Sequence, residues 1–382
     1  MAKQNENIIT AVDIGEVNTV ALVTEITGSR LRYRGHGIAD SLGSCDGIIV
    51  DLEKASASVQ EAIDKAEIRA NVPLQRAVVG VTGTHVRAAN SRGRMVLGLR
   101  PREVSLEDIR QAAKTAQTVP PPEDRQVLHL LPQNFILDEQ DCTRYPVGTV
   151  GRQLDVHVHV VTASASAIQN IVTVMNRAGI YVEDTVYEPL ASSDAVLQSD
   201  ERQLGVCVCD IGADSMDVVV FHEGVVVHSS SIPTGRGQDR TSSCGLIPIK
   251  GGRERATIRT PSKPGNSENK VPLMGDRTLR LVPQRFLREA QEARAREVVE
   301  MLRDNLRQAG VLEMLGAGVV FVGGGARLPG VIENADAILR CPTRMGTPIP
   351  VLKLPALLSE PEFATVIGMA LYAHRARVFK TH

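Results

Sequence analysis

Two stretches of the chain put a carboxylate and a glycine at the end of an apolar run: VDIGEVNT at 12–19 and CDIGADSMD at 209–217. In each, an aspartate (Asp13 or Asp210) is followed by Ile and Gly (Gly15 or Gly212), then by small and polar residues and a second apolar run. Anion binding is the chemistry such a turn can do. Glycine lets backbone N–H groups approach a phosphate with no Cβ in the way. An aspartate at the strand end can hold a hydrated divalent metal through water, the usual manner of Mg²⁺. The first turn also carries Glu16 and Asn18, and the second Ala213, Asp214, Ser215 and Asp217. Either turn alone is weak evidence, since strands often end in such turns, but two facing each other would clasp a polyphosphate from both sides. A third glycine cluster, Gly323, Gly324 and Gly325, follows the apolar run VVFV and precedes a helix start. It allows close approach to a nucleotide and reads equally as a packing turn. It is neither GxGxxG nor a P-loop, since no Gly-Lys-Ser/Thr occurs.

The elements that must position these turns follow from residue periodicity. Residues 8–14 and 19–26, rich in Val, Ile and Thr, read as two strands, with LRYRGHGIA as a third. Asp51 then caps a helix in which Ala55, Val59, Ala62, Ile63 and Ala66 recur at helical spacing. A strand returns at 76–83. Residues 84–162 read as an inserted α+β block: short strands HVRAANS and GRMVLG, a helix opened by a Ser105–Asp108 capping box, a proline loop at 119–124, and strands at 126–137 and 153–163. A helix at 163–178 ends at Gly179, and a strand and the helix LASSDAVLQ follow. The second half then repeats the order of the first: strand, Asp-Ile-Gly turn, strand, strand. Residues 235–276 show no sustained period and are rich in Arg, Lys, Gly, Ser and Pro, so composition predicts irregular structure. After Pro283 a long charged helix carries an apolar stripe of Leu287, Ala290, Val298, Met301, Leu302 and Leu306, ending at Gly310. A last helix spans 362–375.

Other chemistry is poorly supported. Asp155, His157 and His159 share one strand face, a geometry open to metal, but the alternating Leu154, Val156, Val158 and Val160 are what any half-buried strand shows. The six cysteines form no CxxC pair, and Cys207 and Cys209 read as small buried strand residues of a reducing compartment. No Ser/His/Asp set has the context of a covalent hydrolase. A net charge of −1, 3% aromatics and no Trp argue against nucleic acid as partner. No run of about 20 apolar residues occurs, and the first ten residues have no apolar signal core, so a cytoplasmic protein is expected.

The three glycine turns in this order resemble the actin-like ATPase superfamily. With GIIVDLEKASASVQEAIDKAE, VVGVTGTHVRAANSRG, VLHLLPQNFILD, YPVGTVGRQLDVHVHVVTA and YEPLASSDAVL, the chain resembles the bacterial cell-division FtsA family over about residues 8–233 and 277–378. The resemblance implies an α/β, two-domain actin-like fold of duplicated ribonuclease-H-like units with an inserted subdomain. The expected divisions are 8–83 with 163–200, the insertion 84–162, 201–235 with 318–378, and a smaller subdomain at 236–317 in which 235–276 is irregular or aberrant. Connecting helices would lie at 187–197 and 362–373.

In function the resemblance implies an ATP-binding protein that polymerises, tethers the FtsZ ring to the inner membrane face and recruits later division proteins. Its phosphate loops would be Asp13, Gly15, Glu16 and Asn18, then Asp210, Gly212, Ala213, Asp214, Ser215 and Asp217. Gly323, Gly324 and Gly325 would meet adenosine, and Asp13 and Asp210 would hold Mg²⁺ through water; no general base is indicated.

Three departures from the family pattern bear on this. Ala213 and Asp214 stand where the family keeps glycines, Glu16 where it keeps a small hydroxyl residue, and Asn18 where lysine is common. Two added carboxylates beside a triphosphate imply weakened ATP binding. Residues 235–270 replace a helical segment, either by divergence or by translation in a shifted frame. The terminal YAHRARVFKTH offers only Val378 and Phe379 as an apolar face, so weak membrane attachment is expected. An ATP-independent scaffold of the same fold and a pilus-assembly actin homologue are the alternatives. A sugar kinase or chaperone ATPase is argued against by the insertion.

Overall fold

The computed structural model describes residues 7–116, 124–141, 144–234, 268–272, 279–349 and 351–380. Strands β1 (Ile8–Ile14), β2 (Asn18–Thr27) and β3 (Arg30–Asp40) form an antiparallel meander. Helix α1 (Leu52–Ala70) follows, with the Asp51 carboxylate accepting the N–H groups of Glu53 and Lys54 at 3.1 Å. β4 (Arg76–Val81) then runs parallel to β1.

The chain next enters the inserted block: β5 (Arg87–Val96), α2 (Leu106–Thr115), β6 (Arg125–Leu137) and β7 (Gln153–Ser164). β7 lies between β6 and β5, and α2 packs on this sheet through Ala112 and Ala113. The two short strands expected at 85–98 are one continuous strand, because β7 pairs with it residue by residue from Arg87 to Val96. Cys142, Cys244 and residues 119–123 of the proline loop lie outside the described residues.

The first half closes with α3 (Ala165–Arg177), β8 (Tyr181–Tyr187) parallel to β4, and α4 (Glu188–Val196). Its sheet order is β8-β4-β1-β2-β3. The second half rebuilds that plan. β9 (Val206–Ile211), β10 (Ser215–His222) and β11 (Val225–Pro233) form the meander. Later, β14 (Gly318–Val322) joins β9 in parallel and β15 (Thr343–Met345) joins β14. Between them run β12 (Glu268–Pro272), β13 (Leu279–Pro283) and helix α5 (Gln284–Gln308). Irregular structure was expected across 235–276, but 268–272 pairs with 279–283 as a hairpin; the remainder of that segment lies outside the described residues. After β14 the chain makes one 3₁₀ turn at Gly324–Arg327, then α6 (Val331–Leu339) and finally α7 (Ala364–Lys380). The α-helix therefore begins six residues after the last of the three glycines, not at them.

Both faces of each sheet are buried, which is why these strands read as continuous apolar runs. One face of the first sheet lies on α1 and α3, and one face of the second on α5 and α6. On α5 the buried side chains are Ala295, Val298, Val299, Leu302 and Leu306, so the expected stripe holds at Val298, Leu302 and Leu306, whereas Ala290 and Met301 are only half-buried and Ala295 and Val299 take their place in the core. The other two faces share one core: Ile9 and Leu22 from one sheet and Val208 and Val320 from the other enclose Ala191, Ala195, Ile367 and Ala370 of α4 and α7.

α4 and α7 touch backbone to backbone. A Cβ added at Gly368 would fall 1.7 Å from the Ala191 carbonyl oxygen. Glycine to alanine inside a helix ordinarily stabilises it by about 1 kcal/mol. Here we expect Gly368→Ala to destabilise by about 1–3 kcal/mol, because rigid backbone must move. The midpoint of urea unfolding measures it; an unchanged or raised midpoint contradicts the crossing.

Candidate functional site

Each hairpin is built by an antiparallel ladder that runs one residue past its aspartate, to Ile14 and Ile211. Asp13 lies opposite Val20 in β2, and Asp210 opposite Asp217 in β10. The turns are tight: a Cβ on Gly15 would meet the Asn18 carbonyl oxygen at 2.8 Å, and the Gly212 N–H donates to the Ser215 carbonyl at 2.9 Å. Because both strands leave the shared core in the same way, the turns meet. The Asp214 N–H donates to Glu16 Oε2 at 2.6 Å across the cleft, and Thr82, just after β4, donates to Asp217 Oδ2 at 2.5 Å.

The glycine turn packs on the second hairpin. A Cβ on Gly323, whose φ is +81°, would lie 2.2 Å from Asp210 Oδ1, and one on Gly325 would lie 2.3 Å from the Ile211 side chain. An added Cβ at the exposed Gly324 meets nothing within 4 Å. Gly323 and Gly325 therefore act as packing glycines, while Gly324 is exposed. A cleft of about 550 Å³ lies between α5 (Glu289, Glu292, Arg296) and the start of α6 (Gly330, Glu333).

The structure brings most of the sequence-predicted residues together. Asp13, Gly15 and Glu16 face Asp210, Gly212, Asp214 and Asp217, with Gly323 against Asp210. Ala213 and Ser215 belong to the second turn and its strand, whereas Asn18 is exposed at the start of β2. The Asp214 side chain is buried against the first half, where its carboxylate, Cys45 Sγ and the Asp46 carboxylate lie within 4.8 Å of one another.

One functional candidate escaped the sequence reading. Glu188, the first residue of α4, sits between the hairpins. Its Oε1 would clash at 2.4 Å with any Cβ at Gly80. The signal was present: a glycine inside the β-branched run RAVVGV marks close approach, and an acid-proline pair opens a helix directly after a strand. Thr365 was also missed; it donates from the start of α7 to Asp210 Oδ2 at 2.8 Å.

Burial of these acids together sets the electrostatics. Burial first, and then the neighbouring Asp210 charge, raises Asp13 to about 7. Burial raises Asp210 to about 6 against the Thr365 hydrogen bond. Glu188 is held well above the ordinary carboxylate range by burial and by Asp13 and Asp210. Among the described residues no lysine or arginine pairs with Asp13, Asp210 or Glu188. An all-oxygen, anion-rich pocket of this kind fits a hard divalent cation that keeps some of its water.

Two of the three polar residues on this face of β7, Asp155 and His159, have structural partners, whereas the buried His157 Nε2 has none among the described residues. Burial opposes ionisation of Asp155, but Arg94, at 2.8 Å, and Arg92 hold its carboxyl below the usual range. His159 shares hydrogens with Asn90 Oδ1 and Ser229 Oγ, each at 2.7 Å, and so ties the inserted block to β11. Cys207 and Cys209 are fully buried, as the sequence predicts.

Comparison with known proteins bears on the whole chain. The model "SHS2 domain inserted in FTSA" matches residues 83–162, and "Cell division protein FtsA" matches residues 207–368. The Cell division protein FtsA of Pseudomonas aeruginosa is 36% identical over 97% of this chain and 90% of its own length. That of Escherichia coli K12 is 30% identical over 98% and 92%. Among solved structures, the PilM-PilN type IV pilus biogenesis complex aligns with a TM-score of 0.65 at 16% identity, over 96% of this chain and 98% of that one. This last likeness shows the fold alone.

The raised carboxylates predict a pH dependence. Asp13 and Asp210 hold protons in the folded state that the unfolded chain releases, so their contribution is intact at acid pH and is lost as pH rises through about 6–7. His129 and His159, each lowered to about 4 chiefly by burial, act in the opposite sense: they cost stability as pH falls below about 6.5. The carboxylate effect is therefore read by difference. In EDTA, the Tm of Asp13→Asn relative to wild type should climb between about pH 5 and about pH 8, and Mg²⁺ should reduce that gap by stabilising wild type. A gap that stays flat with pH contradicts the coupling.

Proposed function

This chain belongs to the FtsA family of cell-division proteins, and from that premise we propose that it binds ATP between the two Asp-Ile-Gly hairpins, polymerises, and tethers the FtsZ ring to the inner face of the cell membrane, recruiting later division proteins. The 36% identity to a Cell division protein FtsA across nearly the full chain carries the divisional part of this reading. The facing hairpins carry the nucleotide part.

In that reading the backbone around Gly15 and Gly212 lines the phosphate path, and Asp210, fixed by Thr365, and Asp13 orient the bound water shell. Gly324 and the cleft between α5 and α6 admit the adenosine end. Mg²⁺, when bound, would supply positive charge to phosphate and carboxylates alike. Glu188, buried and with a raised affinity for protons, is the group set to accept a proton from water if hydrolysis occurs. The domain divisions we propose are 8–83 with 163–200, the insertion 84–162, 201–235 with 318–378, and 236–317. No described helix is long and apolar enough to cross a membrane, in keeping with a peripheral attachment at the cytoplasmic face.

One observation favours the ATP-independent scaffold as a second reading: Glu16 already occupies the Asp214 N–H. The pilus-assembly alternative has only fold likeness behind it.

Immobilised chain should retain purified FtsZ in ATP and Mg²⁺; failure to retain it sinks the tethering role. Glu188→Gln should keep ATP binding while slowing any phosphate release by about a hundredfold. Unchanged hydrolysis would remove Glu188 as proton acceptor.

A further inference from the structure

The hydrogen bond between Glu16 and the Asp214 N–H joins the first turn to the second, 198 positions apart in the chain, at 2.6 Å. Its geometry is that of an anion in an anion site. The donor is a backbone N–H of the turn between β9 and β10, and the acceptor is a carboxylate oxygen. A Cβ at Gly212 would lie 4.0 Å from that same Oε2, so the carboxylate rests over the open, Cβ-free side of the turn. The Asp214 side chain does not compete for this position, being buried toward Cys45 and Asp46.

We propose that Glu16 is a built-in occupant of the phosphate position of the second hairpin, and that it sets nucleotide affinity by competing for the Asp214 N–H. This rests on the nucleotide reading above and names what regulates that site. A charged acceptor at 2.6 Å and an incoming phosphate oxygen cannot share a single N–H donor, and short charge-assisted bonds are the strong ones. Nucleotide must therefore swing Glu16 aside, and its phosphates must also face the displaced negative charge. The same contact links the two halves of the molecule before any ligand arrives, so its loss loosens the unliganded protein while opening the site.

The test is titration calorimetry of the full chain with ATP and Mg²⁺, alongside thermal melting without ligand. Glu16→Ser removes both charge and reach; Glu16→Gln keeps the shape and an acceptor oxygen but not the charge. Affinity should rise from wild type to Glu16→Gln to Glu16→Ser, by about tenfold or more overall, the gain expected when a charged competitor for one donor is removed. The unliganded Tm should fall in the same order. Damage to the fold lowers affinity, so a gain of binding in a less stable protein separates competition from a structural role. If Glu16→Ser does not fold, the isosteric Glu16→Gln decides by the same comparison. Equal, measurable affinity in wild type and variants overturns the inference and leaves the nucleotide reading standing. Absence of binding in all three at millimolar nucleotide overturns the nucleotide reading and this inference with it.

Discussion

The site depends on how closely α4 and α7 approach each other. These helices fill the single core shared by the two sheets, and Gly368 lies against the Ala191 backbone with no room for a methyl group. That contact fixes the separation of the sheets. The separation in turn puts the end of β1 within reach of the end of β9. A wider crossing would leave each Asp-Ile-Gly turn as an ordinary strand end. At the observed spacing a side chain from one turn bonds the backbone of the other. The helices also deliver chemistry directly, since Glu188 opens α4 and Thr365 lies in the first turn of α7.

The same closeness creates the electrostatic character of the cleft. Asp13, Asp210, Asp217 and Glu188 are all raised by burial, and several raise one another. Isolated acids of this kind are costly to bury ionised, so the cleft either takes up protons or takes up a cation. The crowding of the acids and the cost of burying them ionised are two aspects of a single arrangement. The hydrogen bonds from Thr82 and Thr365 moderate the cost while orienting the acids.

The inserted block is held by polar contacts of a different kind. Gln133 donates to the Val226 carbonyl at 2.7 Å and His159 bonds Ser229, so the β5–β6–β7 sheet is joined to the edge strand of the second half. An edge strand otherwise presents unpaired backbone, and covering it removes that liability. His159 stays neutral because burial disfavours its charged form.

Much of this was legible before any coordinates. The repeat of strand, Asp-Ile-Gly turn, strand, strand specified two like units, because apolar runs ending in the same tight turn have few ways to fold. The caps at Asp51 and Ser105, the stripe on α5 and the inserted block were equally local matters of period and turn chemistry. The continuity of β5 and the hairpin of 268–272 were not legible, since cross-strand pairing overrides weak local propensity. Nor was Glu188 recognised as part of the cleft, although Gly80 had left a mark of it. The sequence alone identified the residues that make up the two turns: the aspartates, the glycines, and the two intruding acids Glu16 and Asp214. Only the tertiary structure decided that those acids part ways, Asp214 turning into the first half and Glu16 taking the backbone donor a phosphate would need. That choice depends on the distance between two turns almost two hundred residues apart, a distance set by helix packing and by nothing local to either turn.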